Sequence, residues 1–216
     1  MNKFVVGIIG LSLLLLIGGV VLVSSRDQAA NITPETLEKE LAISESDWVR
    51  GAENPKVTLV EYSDFQCPAC GSYFPLINQA EDEFKENLRF VYRHYPIREI
   101  HQNAQLSAQA AEAAGKQGKF WEMHDKLFDF QSAWSESGNA KEMFIGYAQD
   151  MDLNVDQFKT DLDSSEAADN VQSDYQSGLR LGISSTPTFF LNGTRIKNPG
   201  SYEELKSLIQ SAIDQS

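Results

Sequence analysis

Apolar positions change their spacing several times along this chain. From Phe4 to Val23 they are continuous, with Ser12 as the one hydroxyl in the run. Coiled as a helix, that run is about 30 Å long, the thickness of a bilayer's hydrocarbon core. Residues 24–50 lose this density and read as a tether with a short helix. Thr33-Pro34-Glu35 supplies a cap, a first-turn proline and an early acid, and Leu37 and Leu41 share one face. Beyond the turn cluster Gly51-Ala52-Glu53-Asn54-Pro55, the stretch Val57 to Tyr62 is β-branched and mostly apolar. It predicts a buried central strand.

A helix is expected from near Cys67 to about Lys85, with Pro68 in its first turn and a kink at Pro75. Leu88 to Tyr95 reads as the next strand, Phe90, Tyr92 and His94 alternating with Val91, Arg93 and Tyr95. Residues 56–95 are thus a βαβ unit with a right-handed crossover. From 99 to 182 the spacing is helical. An alanine-rich segment runs from Asn103 to Ala114 and stops at Gly115. Four apolar stripes follow: Phe120, Met123, Leu127 and Phe128; Met143, Phe144, Tyr147 and Met151; Val155, Phe158 and Leu162 behind an Asn154 cap; Val171, Tyr175 and Leu179. Strand spacing then returns. Thr188 to Leu191 and Thr194 to Ile196 flank Asn192-Gly193, a type I′ hairpin signal. A capping box, Ser201-x-x-Glu204, opens a last helix striped by Leu205, Leu208, Ile209 and Ile213. The order predicts an α/β domain over 51–214, with the helices of 99–182 inserted between its two halves.

The flanks of the apolar run give it a direction. Lys3 and the amino terminus precede it, while Arg26 is followed at once by Asp27. The positive-inside bias places the N-terminus in the cytoplasm and exports the rest. Segment 1–26 is read as an uncleaved signal-anchor, one transmembrane helix. A cleaved signal peptide is the competing reading, with Val23-Ser24-Ser25 as a weak site, but signal cores usually span only about 7–15 residues. Either way residues 27–216 lie where thiols oxidise.

Charge then removes a class of partner. The 216 residues carry a formal net charge of −13, and setting aside Lys3 and Arg26, the two cations of an acid-free first segment, leaves −15 on the remainder. Phosphate backbones repel such a surface, so no nucleic acid is expected. Two cysteines and three histidines make no multi-disulfide scaffold and no easy four-ligand zinc site. No EF-hand spacing marks a calcium loop.

Cys67-Pro68-Ala69-Cys70 carries the chemistry. Sulfurs at i and i+3 on one helical turn bond or separate with little backbone movement. A strand feeding a helix puts the first sulfur at the helix N-terminus, beside free N–H groups and the positive end of the dipole, which lowers a thiol pKa. Cys67 is therefore expected to be the exposed nucleophile and Cys70, one turn in, the resolving thiol. An inert local bridge competes, but closing so short a loop removes little chain entropy. A pair of metal ligands also competes, but there is no second C-x-x-C. Neither metal nor separate cofactor is expected beyond the redox-active Cys67–Cys70 pair.

The chain resembles the thioredoxin-fold disulfide oxidoreductases, most closely their DsbA-like branch, over about residues 48–214. Four features carry the resemblance. They are C-P-A-C after a hydrophobic strand; Glu61, six residues before Cys67, where the family has a buried acid; Ser185-Thr186-Pro187-Thr188-Phe189, similar to the family's cis-proline loop; and the closing hairpin and helix. The fold implied is thioredoxin-like with an inserted helical domain. Catalytic roles implied are those of Cys67, Cys70, Glu61 and Pro187; Pro68, Ala69, Thr186 and Pro187 are implied to meet substrate. A buried Glu61 is costly to ionise, so its pKa should rise, and it would shuttle a proton to or from Cys70. A satisfied or solvent-facing Glu61 and a trans Pro187 at a strand start are the plainer alternatives. In cis, Pro187 sets the Thr186 backbone where an extended substrate can pair.

The branch often carries histidine between its cysteines, and here the pair is Pro68-Ala69. Loss of that neighbour makes a less stabilised thiolate and a less oxidising disulfide, which leaves the direction of electron flow open. A dithiol oxidase acting on cysteine-containing exported polypeptides and reoxidised by a membrane redox partner is the leading expectation. Its implied place is a prokaryotic cytoplasmic (inner) membrane, with the catalytic domain extracytoplasmic. A reductase or isomerase is the alternative within the class, and a non-enzymatic peptide-binding chaperone the alternative outside it. Of the remaining residues, His124, Phe120 and Trp121 read as packing, and His94 and His101 as rim residues of a post-strand loop. The alanine-rich helix suits a dimer interface or close internal packing. Asn31-Ile32-Thr33 and Asn192-Gly193-Thr194 match glycosylation patterns that recur by chance.

Overall fold

The computed structural model describes residues 32–216. The apolar run 4–23 with its flanks, the Val23-Ser24-Ser25 site and the Asn31 pattern lie outside them. Among the described residues no helix is long and apolar enough to cross a membrane.

Five strands form one sheet: β1 (Trp48–Gly51), β2 (Val57–Ser63), β3 (Leu88–His94), β4 (Thr188–Leu191) and β5 (Thr194–Arg195). Their spatial order is β1-β3-β2-β4-β5. β2 and β3 are parallel, as their helical crossover requires, and the other neighbours are antiparallel. β2 and β3 are buried along nearly their whole length, their polar Glu61, Ser63, Arg93 and His94 included. Ahead of the sheet lies α1 (Pro34–Leu41), and between β2 and β3 runs α2 (Pro68–Phe84), which continues past Pro75. The inserted helices are α3 (Ala104–Gly115), α4 (Phe120–Asp129), α5 (Gln131–Trp134), α6 (Ala140–Asp150), α7 (Val155–Leu162) and α8 (Ser165–Arg180), and α9 (Tyr202–Asp214) closes the chain.

Local chemistry accounts for several of these boundaries. Asn154 accepts from the Gln157 N–H at 3.0 Å and starts α7. Ser201 accepts from the Glu204 N–H at 3.3 Å and starts α9, while the Glu204 carboxylate reaches back to the Gly200 N–H at 2.7 Å, one residue before the usual partner. Asn192 (φ 46°) and Gly193 (φ 79°) are both left-handed, as a type I′ turn demands.

One core spans both halves. Leu59, Phe90, Tyr92 and Phe189 of the sheet, Ile77 and Phe84 of α2, Leu205 and Ile209 of α9, and Ala110, Phe120, Met123 and Leu127 of the insertion belong to a single buried cluster. The alanines of α3 are spent inside this chain, which explains the helix by internal packing. Short side chains let neighbouring helices approach closely. On the sheet's other face, Tyr62 meets Tyr95 and Phe190 edge-on and its hydroxyl lies 2.7 Å from Ser177 of α8. Arg93 donates to Asp47 at 2.7 Å and to the Glu40 and Ala42 carbonyls, tying the end of α1 to β3.

Residues 48–50, assigned from sequence to the tether, belong instead to strand β1, which pairs antiparallel with β3 from Trp48↔Tyr92 to Gly51↔Arg89. Four residues are too few to show an alternation. The strand is held by its side chains: Trp48 stacks on Phe120 with centroids 4.1 Å apart, and its Nε1 donates to Glu112 at 2.6 Å. The Trp48 ring also covers Gly115, where an added Cβ would come within 2.2 Å of the indole. Replacing a helical glycine with alanine normally gains about 1 kcal/mol. Here Gly115→Ala is expected to destabilise by about 1–3 kcal/mol, the usual cost of overpacking, read as a lowered urea midpoint. A raised midpoint would show that Trp48 yields.

Candidate active site

The site starts from the turn that carries β2 into α2. Ser63 ends the strand, and Asp64 folds the next residues back. Its carbonyl accepts the Cys67 N–H at 3.0 Å. Its buried carboxylate accepts from the Gln66 N–H (2.8 Å), the Ile97 N–H (2.8 Å) and His101 Nδ1 (2.7 Å). Side-chain amides fasten the same turn to the insertion. Gln131 Nε2 donates to the carbonyls of Phe65 (2.7 Å) and Cys67 (2.9 Å), and Gln66 Nε2 donates to the Ser135 carbonyl (2.6 Å).

Cys67 is the N-cap residue of α2, with extended backbone (φ −67°, ψ 120°), and Pro68 fills the first helical position, where no N–H is needed. Both cysteines are free thiols. Cys70 is fully buried as expected, but Cys67, expected to be exposed, is only 8% exposed, because the loop before β4 lies against its sulfur. Pro68 and Ala69 stand exposed beside them. From the far end of the chain the loop before β4 arrives with a cis Thr186–Pro187 bond, and the Cys67 thiol donates to the Thr186 carbonyl at 3.6 Å. The sequence-predicted Cys67, Cys70, Pro68, Ala69, Thr186 and Pro187 thus meet at one point. Asn198 Nδ2 holds the Pro187 carbonyl at 2.8 Å.

Glu61 lies on β2 between Tyr92 of β3 and Phe189 of β4. It is buried, and accepts the Ser63 hydroxyl at 2.7 Å.

A family model described as Thioredoxin matches residues 44–211. The chain belongs to the thioredoxin family. Among solved structures it is similar to a thioredoxin-like oxidoreductase from Silicibacter pomeroyi, at 25% identity and a TM-score of 0.66, over 85% of this chain and 96% of that one. Wolbachia pipientis alpha-DsbA1, at 18% identity and a TM-score of 0.71 over 82% and 96%, shares the fold. A curated relative, the Na(+)/H(+) antiporter NhaA 1 of Salinispora arenicola, is 40% identical over 167 residues, 77% of this chain. The chain spans about a quarter of that relative's length, so that name describes a much longer protein.

The electrostatics of the Cys67–Cys70 motif suit thiol–disulfide chemistry. The Cys70 thiol, donating to the Cys67 sulfur, holds the Cys67 pKa down to about 5. Burial opposes this, and the Thr186 hydroxyl and the N–H groups of Cys70 and Ala69 add to it. In the thiol form the sulfur closes no cap hydrogen bond. The buried Thr186 hydroxyl likewise has no partner among the described residues until a thiolate forms beside it. Burial pushes the Cys70 thiol well above its ordinary range, and its role as donor to Cys67 and the charge of Glu61 push the same way. Burial also lifts Glu61 to about 8 against the Ser63 hydroxyl. Two neighbours therefore keep their protons at neutral pH while the first sulfur gives its proton up.

Not every residue singled out from sequence reaches the site. His94 is no rim residue. It ends β3 and is buried, with Nε2 3.0 Å from Glu112 of α3, a partner 18 positions further along the chain. His101 instead serves Asp64. His124 packs among Phe65, Tyr92 and Phe128, and burial drives its pKa down to about 4. Sequence reasoning missed Asp64, Gln66 and Gln131, whose contacts to Ile97, Ser135 and Phe65 cross 33 to 69 positions of chain and leave no periodicity. Among the described residues no cluster of histidine, cysteine and acids is placed to hold a metal ion.

The depressed Cys67 pKa fixes a sign. A group that ionises more readily when folded adds stability above its unfolded pKa and loses it as the pH falls through the folded one. The reduced protein should therefore gain stability on the oxidised one as the pH rises from about 5 to about 9, by at most about 1.4 kcal/mol per pH unit. Denaturant titrations of both redox forms measure this. Thiolate absorbance at 240 nm should rise with a midpoint near 5 and vanish in Cys67→Ser.

Proposed function

We propose that this protein is a membrane-tethered dithiol oxidase that forms disulfides in exported, cysteine-containing polypeptides. Residues 4–23 anchor it in a prokaryotic cytoplasmic membrane with the catalytic domain outside. The apolar run, the preceding Lys3 and the acidic remainder support that placement. The observation that carries the redox reading is the placement of Cys67 at the N-terminus of α2, one turn before Cys70 and against the cis Thr186–Pro187 loop, which favours one thiolate beside protonated Cys70 and Glu61. A stabilised thiolate favours the dithiol over the disulfide, and so makes the disulfide an oxidant. From pH 7 down to a pKa of about 5, at about 30 mV per unit, this amounts to about 60 mV.

The steps follow from the geometry. A client thiolate attacks Cys67 Sγ of the Cys67–Cys70 disulfide. The client–Cys67 bond forms, the Cys67–Cys70 bond breaks, and Cys70 leaves as a thiolate. Inside the core that charge is costly, and Glu61, still protonated at neutral pH, gives it a proton. A second client thiolate attacks the client's own sulfur in the mixed disulfide, and Cys67 departs as the stable thiolate. The client loses two electrons, the enzyme holds them, and a membrane redox partner removes them. Pro68, Ala69 and the Thr186–Pro187 loop surround Cys67 and would seat an extended client strand.

Equilibration with glutathione tests the direction. A potential well above about −270 mV, toward about −120 mV, supports an oxidase. A value near the lower end would make the protein a reductase, and absence of a reversible couple would leave a peptide-binding module. Glu61→Gln should slow client oxidation by about tenfold or more and erase the rate inflection near pH 8 that Glu61 imposes, read by stopped-flow. An unchanged pH profile would remove Glu61 from the proton path.

A further inference from the structure

The Cys67 carbonyl has two donors. One is the Gly71 N–H at 3.1 Å, the first bond of α2. The other comes from outside the helix: Gln131 Nε2 at 2.9 Å, which also donates to the Phe65 carbonyl at 2.7 Å. A primary amide has two N–H bonds, and both are used here, so the carboxamide plane is fixed against the active-site turn. Gln131 opens α5, in the insertion, and that segment is further braced to the same turn by Gln66 to Ser135 and by Asn103, whose N–H donates to Gln66 at 2.7 Å and whose two amide N–H bonds are shared among the carbonyls of Trp134, Ser135 and Ser137 at 3.0–3.1 Å. Gly71 makes room for this arrangement. A Cβ there would lie 2.7 Å from Gln131 Oε1, so the carboxamide rests directly on the helix backbone one residue past Cys70.

The carbonyl direction of a residue is its ψ torsion. Cys67 sits at ψ 120°, outside the helical range, while the next residue is helical. That torsion sets where the N–H groups of Ala69 and Cys70 stand relative to Sγ, and both groups favour the thiolate. A bond to the carbonyl from a rigid neighbouring element therefore controls how well the helix N-terminus faces the sulfur.

We propose that Gln131 is a positioning residue for the nucleophile: by holding the Cys67 carbonyl it keeps Sγ over the first N–H groups of α2, so that the inserted helices set the reactivity of Cys67. This rests on the reading of Cys67 as the attacking sulfur. Gln131 touches neither sulfur nor substrate and acts only through the Cys67 backbone.

Two variants of the full chain test it from opposite sides. Gln131→Leu removes both donors and leaves two methyl groups one bond closer to the backbone. Gly71→Ala leaves residue 131 intact and pushes its carboxamide off the turn, while alanine favours α2 itself. Each is expected to raise the 240 nm thiolate midpoint of Cys67 by about one pH unit and to slow alkylation by iodoacetamide several-fold at pH 4, below both midpoints, with the oxidised Gly71→Ala protein retaining wild-type thermal stability. An unchanged midpoint in either folded variant overturns the proposal and reduces Gln131 to an ordinary brace. If Gln131→Leu does not fold, Gly71→Ala decides alone. A wild-type protein without a low-pH thiolate transition would instead sink the underlying reading of Cys67, whatever the variants do.

Discussion

Several donors converge on one sulfur, and they come from distant parts of the chain. The Cys70 thiol and the first N–H groups of α2 lie within a turn of Cys67, but the Thr186 hydroxyl arrives across 119 positions. Bringing them together requires β2 to end where α2 begins, β4 to lie beside β2, and the loop before β4 to fold over the helix end. The sheet order meets each requirement, because β2 is central and has β3 and β4 as its two neighbours. Burying the sulfur alone would raise its pKa. Only donors held in place by the rest of the fold reverse that sign.

The same core treats three acidic groups differently. Cys67 is pulled toward ionisation, while Cys70 and Glu61 are pushed away from it. Desolvation is common to all three, so the difference lies in the partners. Cys67 faces N–H and hydroxyl groups. Glu61 has the Ser63 hydroxyl and sits between Tyr92 and Phe189, and Cys70 lends its own proton outward. One negative charge is thereby placed at the surface end of the motif and kept out of the interior, where an unpaired ion is costly.

Much of this was legible in the chain. The Cys67–Cys70 spacing, Glu61 six residues upstream, the Thr186-Pro187 loop, the Asn192-Gly193 turn and the Asn154 and Ser201 caps are local patterns, and local patterns survive in sequence. β1 was illegible because it is four residues long and is held by Trp48 on Phe120, a contact across 72 positions. The burial of His94 was illegible because nothing nearby shows that Glu112 waits for it. Gln131 carried no signal at all: a glutamine bonded to backbone carbonyls leaves neither periodicity nor motif. What the sequence withheld is the set of polar contacts made between elements, on which the orientation of Cys67 depends.

The rims of the sheet have a bearing on what this surface meets. A sheet ends in rows of unpaired N–H and C=O groups, which invite any extended chain to join. Here one border, β5, is two exposed residues including Arg195, and the other, β1, is four residues stopped by Gly51 at φ 95°. Both borders are too short to template a long added strand. An extended chain that met this sheet would therefore find little edge to extend, and the risk of edge-to-edge aggregation is correspondingly small.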